Sequence, residues 1–362
     1  MKKSLLELDP QADALLILQC PNAQKTTSAE EREAWDSGEA SQSETTTSPQ
    51  TDKKNSIKSP TTYEDLRSLQ PYLNNGDPNM IQFQVSTRHL CIVSPVFRAI
   101  IKGRYRESQP NSQGILEIGA SDWSAEAFLI LLDIIHGHHR EVPRQLNLEI
   151  IAQVGLLVDY YDCLEIVQIF FDSWCSRLDD WARYSGPFDP SPADKAESFG
   201  NREIILLFIA WAIRDGSAFS NLGSRAINHT TGLIRTNLPI PSQVLAKINE
   251  CRVHTIDRLF SEMYELQEDL MVGQAGCSLE CSCRLLGSLM QQMRAKDLPI
   301  TKPDKPFSGY NSPSIYEIIR SIQTPAWHAC KPHDACRFER MLDSHDCVLE
   351  ELVPSLKLED FL

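Results

Sequence analysis

Residues 80–98 read MIQFQVSTRHLCIVSPVFR, and this stretch decides the fold of the N-terminal half. Ile81, Phe83 and Val85 alternate with polar residues, which is the pattern of a β-strand with one buried face. Two short helices are predicted to follow it. The second begins at Ser94-Pro95, because serine caps a helix N-terminus and proline is tolerated in the first turn.

Two more strands and three helices extend this pattern. Residues 14–19 (ALLILQ) form an apolar run after a turn-forming Asp-Pro, and residues 114–119 (GILEIG) alternate again. Three amphipathic helices then carry apolar residues at helical spacing, centred on Phe128–Ile135, Ile150–Tyr161 and Val167–Trp174. We therefore predict an α+β domain over 9–178, with a small sheet of about three strands flanked by helices.

A long insertion separates the first two predicted strands. Between Asn22 and Thr62, 15 of 41 residues are Ser or Thr, and Trp35 and Ile57 are the only large apolar residues. Such a segment buries too little apolar surface to offset its chain entropy. With the residues that follow it, including a turn cluster at 74–78, we predict a disordered insertion over 22–75, in which 63–73 could form one helical turn.

The C-terminal half is predicted to be mostly α-helical over 201–352, after a polar, proline-rich linker at 179–200 and before an acidic tail at 353–362. One helix is expected from about Arg202 to Arg214, stopped at Gly216. A long helix is expected from Pro241 towards Leu270. Apolar residues along it are spaced three and four apart, and too few heptads keep that spacing for a free coiled coil, so we expect packing on the chain's own helices.

The charge balance excludes several classes of partner. With 35 Lys+Arg against 49 Asp+Glu, the net charge of the 362 residues is −14, which opposes binding to nucleic acid or to anionic lipid. The most apolar later stretch, Ile204–Ile213, is half the length of a membrane span. Eleven cysteines cannot all pair within the chain, so we expect a reducing compartment, the cytoplasm or the nucleus or both.

The order of these elements resembles a BTB/POZ domain. Val85-Ser86-Thr87-Arg88-His89-Leu90 leading into Ser94-Pro95-Val96-Phe97 matches that family's strand-to-helix pattern, and Asp13 stands before the first strand as in the family. The chain is most similar to fungal BTB/POZ proteins of largely unassigned role, through Ala127–Gly137, Val142-Pro143-Arg144, Leu157–Cys163, Cys281–Leu289 and Leu358–Phe361.

The resemblance implies association with a protein partner rather than a reaction. BTB/POZ domains pair with themselves or with a related chain through their first helices, which here would divide Ile92, Val93, Val96 and Phe97 between core and dimer seam. Some recruit a cullin through an apolar-x-Glu motif after the second helix. Tyr105-Arg106-Glu107 stands at that place, so Tyr105 and Glu107 are candidates for a cullin contact, with a solvated helix-capping loop as the alternative.

Catalytic patterns are absent from the sequence. It has no GxSxG elbow, no GxxxxGK[ST] phosphate loop and no GxGxxG fingerprint, so we expect no enzyme. His136, His138 and His139 cluster near Asp133, and we interpret them as solvent-exposed residues that complement a helix dipole.

The C-terminal cysteines have the only ligand-like spacing. Cys277 and Cys281 are four residues apart, and His333 and Cys336 are three apart, so two short pairs could together supply the four ligands of a structural zinc site, although neither pair is a true CxxC and about fifty residues separate them. The alternative is that these are unligated thiols, since buried free cysteine is common. No other cofactor is predicted.

Three functions follow as hypotheses. The first is a non-catalytic interaction protein that forms homo- or hetero-oligomers through its BTB/POZ-like domain and presents its helical C-terminal region to a partner. The second is a substrate adaptor of a cullin-type ubiquitin ligase. The third is a zinc-dependent transcriptional regulator, which the acidic residues near the C-terminus disfavour.

Overall fold

The computed structural model describes residues 4–24, 63–103, 108–178, 181–185, 199–326, 331–342, 349 and 353–362. In these residues the protein is α+β and divides into two compact units. The first comprises Met1–Ala182, Phe208–Arg214 and Asn237–Pro239, and the second comprises Arg183–Leu207, Asp215–Thr236 and Ile240–Leu362.

A four-stranded mixed sheet organises the first unit. Its strands are β1 (Ser4–Glu7), β2 (Ala14–Gln19), β3 (Met80–Val85) and β4 (Leu116–Ser121), in the order β1-β3-β2-β4. β2 runs antiparallel to β3, with Leu16 opposite Phe83, and parallel to β4, with Leu16 opposite Ile118. All three of these side chains are buried, so residues far apart in the chain meet in one core.

The strand predictions at 14–19 and 80–85 are confirmed, and two differences stand out. The strand predicted from residue 114 begins at Leu116, because Gly114 has a φ of +79° in a turn closed by its N–H and the Asn111 carbonyl. β1 was not predicted. It pairs parallel to β3 at the edge of the sheet.

The first unit also contains several helices. The Ser94 hydroxyl caps the helix Pro95–Lys102 by accepting a 3.0 Å hydrogen bond from the Phe97 N–H, as predicted. Cys91, Cys163 and Cys175 are buried in or beside these helices. The helices are α1 (Tyr63–Arg67), α2 (Thr87–Val93), α3 (Pro95–Lys102), α4 (Ala125–Ile135), α5 (Leu148–Tyr161) and α6 (Leu164–Cys175), followed by α7 (Trp181–Ser185).

The predicted insertion over 22–75 is wrong at both ends. The Asn22 amide donates to the carbonyls of Leu66 and Leu69, each at 2.9 Å, and its oxygen accepts from the Ala125 N–H. Leu66 is buried and Arg67 makes two 2.7 Å bonds to the Glu126 carboxylate, so α1 is fastened to α4. Residues 25–62 lie outside the described part of the chain.

The second unit is helical. Its elements are α8 (Asn201–Ala212, of which Phe208–Ala212 belongs to the first unit), α9 (Gly216–His229), α10 (Ser242–Met271), α11 (Leu279–Ala295), α12 (Ser312–Arg320), a 3-10 helix (Lys331–Cys336), α13 (Phe338–Met341) and a closing 3-10 helix (Leu358–Phe361). The helix predicted to run to Arg214 ends at Ala212. Gly216 begins α9 instead of stopping its predecessor, because the Asp215 carboxylate caps α9 by accepting from the Ala218 N–H.

The apolar residues that form the predicted seam of α10 are all buried inside this unit. Ile256, Leu259, Met263, Leu266 and Leu270 are buried in one cluster with apolar residues of α11 and α12, which confirms the prediction that α10 packs on the chain's own helices. The last ten residues, predicted as an acidic tail, bring buried Leu356 onto α9, where a Cβ at Gly223 would lie 2.9 Å from Leu356 Cδ1. Among the described helices, none is both long and apolar enough to cross a bilayer.

Candidate metal centre

Two cysteines stand at the N-terminal end of α11. The turn from α10 contains Gly273 and Gly276 at positive φ, and a Cβ at Gly276 would lie 2.9 Å from Ser282 Oγ. Ser278 caps α11 by accepting from the Cys281 N–H at 3.2 Å. This cap places Cys277 just before the helix and Cys281 in its first turn, at the same end.

The second pair comes from the 3-10 helix Lys331–Cys336. Such a helix has three residues per turn, so residues three apart lie one above the other. His333 and Cys336 therefore point the same way, and the short helix brings both to the first pair.

The four predicted ligands meet at one point. The ligand atoms of Cys277, Cys281, His333 and Cys336 all lie within 4.8 Å of one another. His333 Nδ1 is 3.3 Å from Cys277 Sγ and 3.8 Å from Cys281 Sγ. Tetrahedral zinc, with bonds of about 2.3 Å to sulfur and about 2.0 Å to nitrogen, separates its ligand atoms by about 3.5–3.8 Å. The cluster could therefore hold a metal ion, and three sulfurs with one imidazole form a soft set that suits zinc better than magnesium or calcium.

Burial and protonation set the terms of metal binding here. Cys281 and Cys336 are buried, His333 is half-buried and Cys277 is exposed, so the cluster opens to solvent on one side. Burial, together with the neighbouring Cys281 and Cys277 thiols, raises the pKa of Cys336 to about 11. An incoming cation must displace that proton, so metal affinity is expected to rise with pH.

The other predicted site residues that the structure describes lie in the first unit. Ile92 is 65% exposed on α2, and Val93 and Val96 are half-buried. Phe97 is fully buried and stacks on Tyr161 with ring centroids 4.1 Å apart, so in the predicted division between core and dimer seam it belongs to the core. Tyr105 and Glu107 lie outside the described residues.

Sequence reasoning missed a cationic cavity around Ile92. Arg88, Arg98 and Lys102 line it, together with Cys91 and Ile101, and its volume is about 470 Å³. The three cations come from two successive helices, so no single helical face in the sequence displays them together.

His136, the first residue of the histidine cluster, has a structural role. His136 Nε2 accepts from the Ser86 N–H at 3.0 Å, and Nδ1 lies 2.8 Å from the Leu132 carbonyl. Both ring nitrogens are thus occupied in the neutral imidazole, and burial lowers the pKa of His136. The interpretation as solvent-exposed is wrong for His136, which ties the start of α2 to the end of α4. His138 bonds the Asp133 carboxylate at 3.2 Å.

The metal cluster and the Ile92 cavity are the two features of the described residues that bear most directly on function. The first combines four residues from three chain segments, and the second combines apolar and cationic side chains on one surface. No protein-family model matches the chain, and no curated protein matches it.

Proposed function

We propose that the chain is a non-catalytic protein–protein interaction protein. Its first unit, a BTB/POZ-like domain, associates with a second copy or a related chain, and its helical second unit engages a partner. The succession of β2, β3, α2, α3, β4 and three further helices supports this proposal, because it follows the order that the BTB/POZ resemblance implies.

Exposed Ile92 carries the association part of the proposal. It lies on α2, a helix that the resemblance assigns to pairing, and burying such a side chain contributes about 2 kcal/mol. Arg88, Arg98 and Lys102 surround it. In a chain of net charge −14, these cations form a local positive patch that would attract an acidic surface on a partner chain.

Light scattering after size-exclusion chromatography tests the association. At tens of micromolar, the wild-type chain is expected at twice 40.9 kDa and Ile92→Asp at the monomer mass. Ile169→Asp is the matched control, since Ile169 is 71% exposed on α6 of the same unit, and it should keep the wild-type mass. A monomeric wild-type chain would refute homo-association.

The second unit is proposed to hold a structural zinc ion at Cys277, Cys281, His333 and Cys336. The single observation behind this is the 4.8 Å limit on all separations among their ligand atoms. The ion would join the start of α11 to the 3-10 helix. Its thiolates require a reducing environment, as expected in the cytoplasm or nucleus.

Metal analysis of reduced, purified protein tests the zinc proposal. About one zinc per chain is expected, with loss in Cys281→Ser and Cys336→Ser. Cys283→Ser is the matched control, because Cys283 is exposed two residues from Cys281 and outside the cluster. Less than about 0.2 zinc per wild-type chain would exclude a structural site.

The two alternatives rest on less. A cullin adaptor would depend on Tyr105 and Glu107, and a cullin pull-down compared with Tyr105→Ala/Glu107→Ala tests it. A zinc-dependent DNA-binding role is opposed by the charge beside the cluster, where Glu268, Asp269 and Glu280 would repel phosphates.

A further inference from the structure

We propose that the turn between α10 and α11 docks a basic amphipathic helix of a partner protein. Its apolar surface consists of Met271, Val272 and Leu279, which we call the α10–α11 tip. This inference rests on the proposed interaction function and names the surface and the partner's chemistry.

The tip exposes three large apolar side chains close together. Met271 is 51%, Val272 57% and Leu279 74% exposed. Leu279 folds back over the turn, since a Cβ at Gly273 would lie 3.9 Å from its Cδ1. The preceding Leu270 is only 2% exposed, so the buried seam of α10 continues directly into an exposed apolar surface. Methionine is common at protein-binding surfaces because its side chain adapts to its partner.

Acidic residues precede and follow this apolar surface in the chain. From Leu259 to Cys283 the chain has five acidic residues and no Lys or Arg. Glu280 pairs with Arg284 at 2.9 Å, whereas Glu265, Glu268 and Asp269 are exposed and form no ion pair within the described part of the chain.

The position of these acids is unfavourable for the free protein. A helix C-terminus carries partial negative charge and favours cations, yet Glu268 and Asp269 lie in the last turn of α10, which has no basic residue. A local rule broken with no compensating ion pair among the described residues is typical of a functional surface. A cationic partner supplies the missing charge, so charge complementarity selects a basic occupant.

The tip is also held in a defined shape. Cys277 and Cys281 flank Leu279, and the Ser282 hydroxyl donates to the Ala275 carbonyl. If zinc is bound as proposed, three thiolates, a neutral imidazole and Zn²⁺ would sum to a charge of −1 and would add to the acidic field. A surface ordered before binding loses less entropy on association. A helix with apolar residues at i, i+3 and i+4 can cover such a compact patch while its Lys and Arg reach the acids.

Fluorescence anisotropy with full-length protein tests the docking. The probes are two 16-residue amphipathic helical peptides with the same Leu/Phe stripe, one with Lys and Arg elsewhere and one with Glu. The basic peptide is expected to bind with a Kd below about 50 µM and the acidic one at least tenfold more weakly. Met271→Ser/Leu279→Ser should weaken the basic peptide about tenfold, and Glu268→Gln/Asp269→Asn about threefold with a flatter salt dependence.

Leu233→Ser is the matched control, because Leu233 is 57% exposed in the same unit and follows α9 rather than α10, and it should bind as wild type does. Failure of the basic peptide to bind, or equal binding to Met271→Ser/Leu279→Ser, would overturn the proposal. So would a loss of self-association in that variant, which would identify a second copy as the occupant.

Zinc content and molecular mass, measured on the same preparations, separate this inference from the proposed function. A monomeric or zinc-free chain that binds the basic peptide through Met271 and Leu279 keeps the docking surface and refutes only the association or zinc proposal. A dimeric, zinc-loaded chain with no tip-dependent peptide binding refutes the docking surface alone.

Discussion

The two units close their folds by different means. In the first, β2, β3 and β4 join residues from 14 to 121 through backbone ladders. In the second, no strand occurs among the described residues, and segments without regular secondary structure are held to α10 by hydrogen bonds and ion pairs of its side chains. A backbone ladder distributes stability over many hydrogen bonds, whereas contacts made by single side chains concentrate it in a few residues. We therefore expect single substitutions to destabilise the second unit more than the first.

The fastening residues on α10 are polar or charged. Arg252 is fully buried and donates to the carbonyls of Pro306, Phe307 and Tyr310, at 2.6, 3.4 and 3.3 Å. One turn later Asp257 pairs with Lys302 and Lys305, at 2.6 and 2.7 Å. The irregular chain after α11 is thereby anchored without regular secondary structure.

Removal of the metal is expected to have the largest effect. Cys336→Ser, or zinc chelation under reducing conditions, should cost on the order of 5 kcal/mol, because binding energy at a structural zinc site is folding energy. Thermal unfolding with hydrogen exchange should show protection lost around 277–281 and 331–342 while the sheet stays protected. Equal loss in both units would contradict the contrast between them.

Arg252→Met is expected to rank second, at about 3 kcal/mol. The change keeps the apolar stem and removes the donors to three carbonyls, which are then left without those partners in the interior. Arg258→Met, at an exposed position of the same helix, is the control and should stay within about 0.5 kcal/mol of wild type. Urea unfolding measures both. A mild effect of Arg252→Met would mean that the loop carbonyls find other donors.

Local patterns were predictable from the sequence, and long-range fastening was not. The stripes of α4, α5, α6 and α10 repeat within a few residues, so periodicity revealed them. α9 escaped because GSAFSNLGSRAINH is rich in small and polar residues and begins with a glycine that is typical of helix ends. β1 has only four residues, too few to establish an alternation.

The members of the metal cluster were predictable from the sequence, but their convergence was not. Its four members were predicted because each pair has ligand spacing within one short helix or turn, although the convergence of the pairs could not be known. Arg252 gave no such signal. A lone arginine on a long amphipathic helix is normally a surface residue, and the carbonyls it bonds are more than fifty residues away.

Arg67→Ala tests whether a single side-chain contact also contributes strongly to the stability of the first unit. Glu126 is 2% exposed and its carboxylate is paired with Arg67, so the truncation leaves a buried charge without that partner. We expect a loss of about 2 kcal/mol, less than for a fully buried pair because the Arg67 side chain is 57% exposed. Glu64→Ala, exposed on the same short helix, is the control. Hydrogen exchange should localise the loss to α1, and a loss spread over the sheet would contradict this.

The smallest effect is expected from replacing residues 26–61 by an eight-residue Gly/Ser linker. Asn22 already joins the two sides of the insertion through its bonds to Leu66 and Leu69, and an eight-residue linker can reach up to about 26 Å. Shortening the connection from 38 residues to ten is about two halvings, which should stabilise the first unit by about 1 kcal/mol through a lower loop-closure entropy. A sixteen-residue linker should stabilise the first unit by less than the eight-residue linker does. The urea midpoint of the first unit would then rise as the linker shortens, at constant slope. A fall in the midpoint with both linkers would mean that residues 26–61 contribute packing, and that the sheet ladders do not close the first unit unaided.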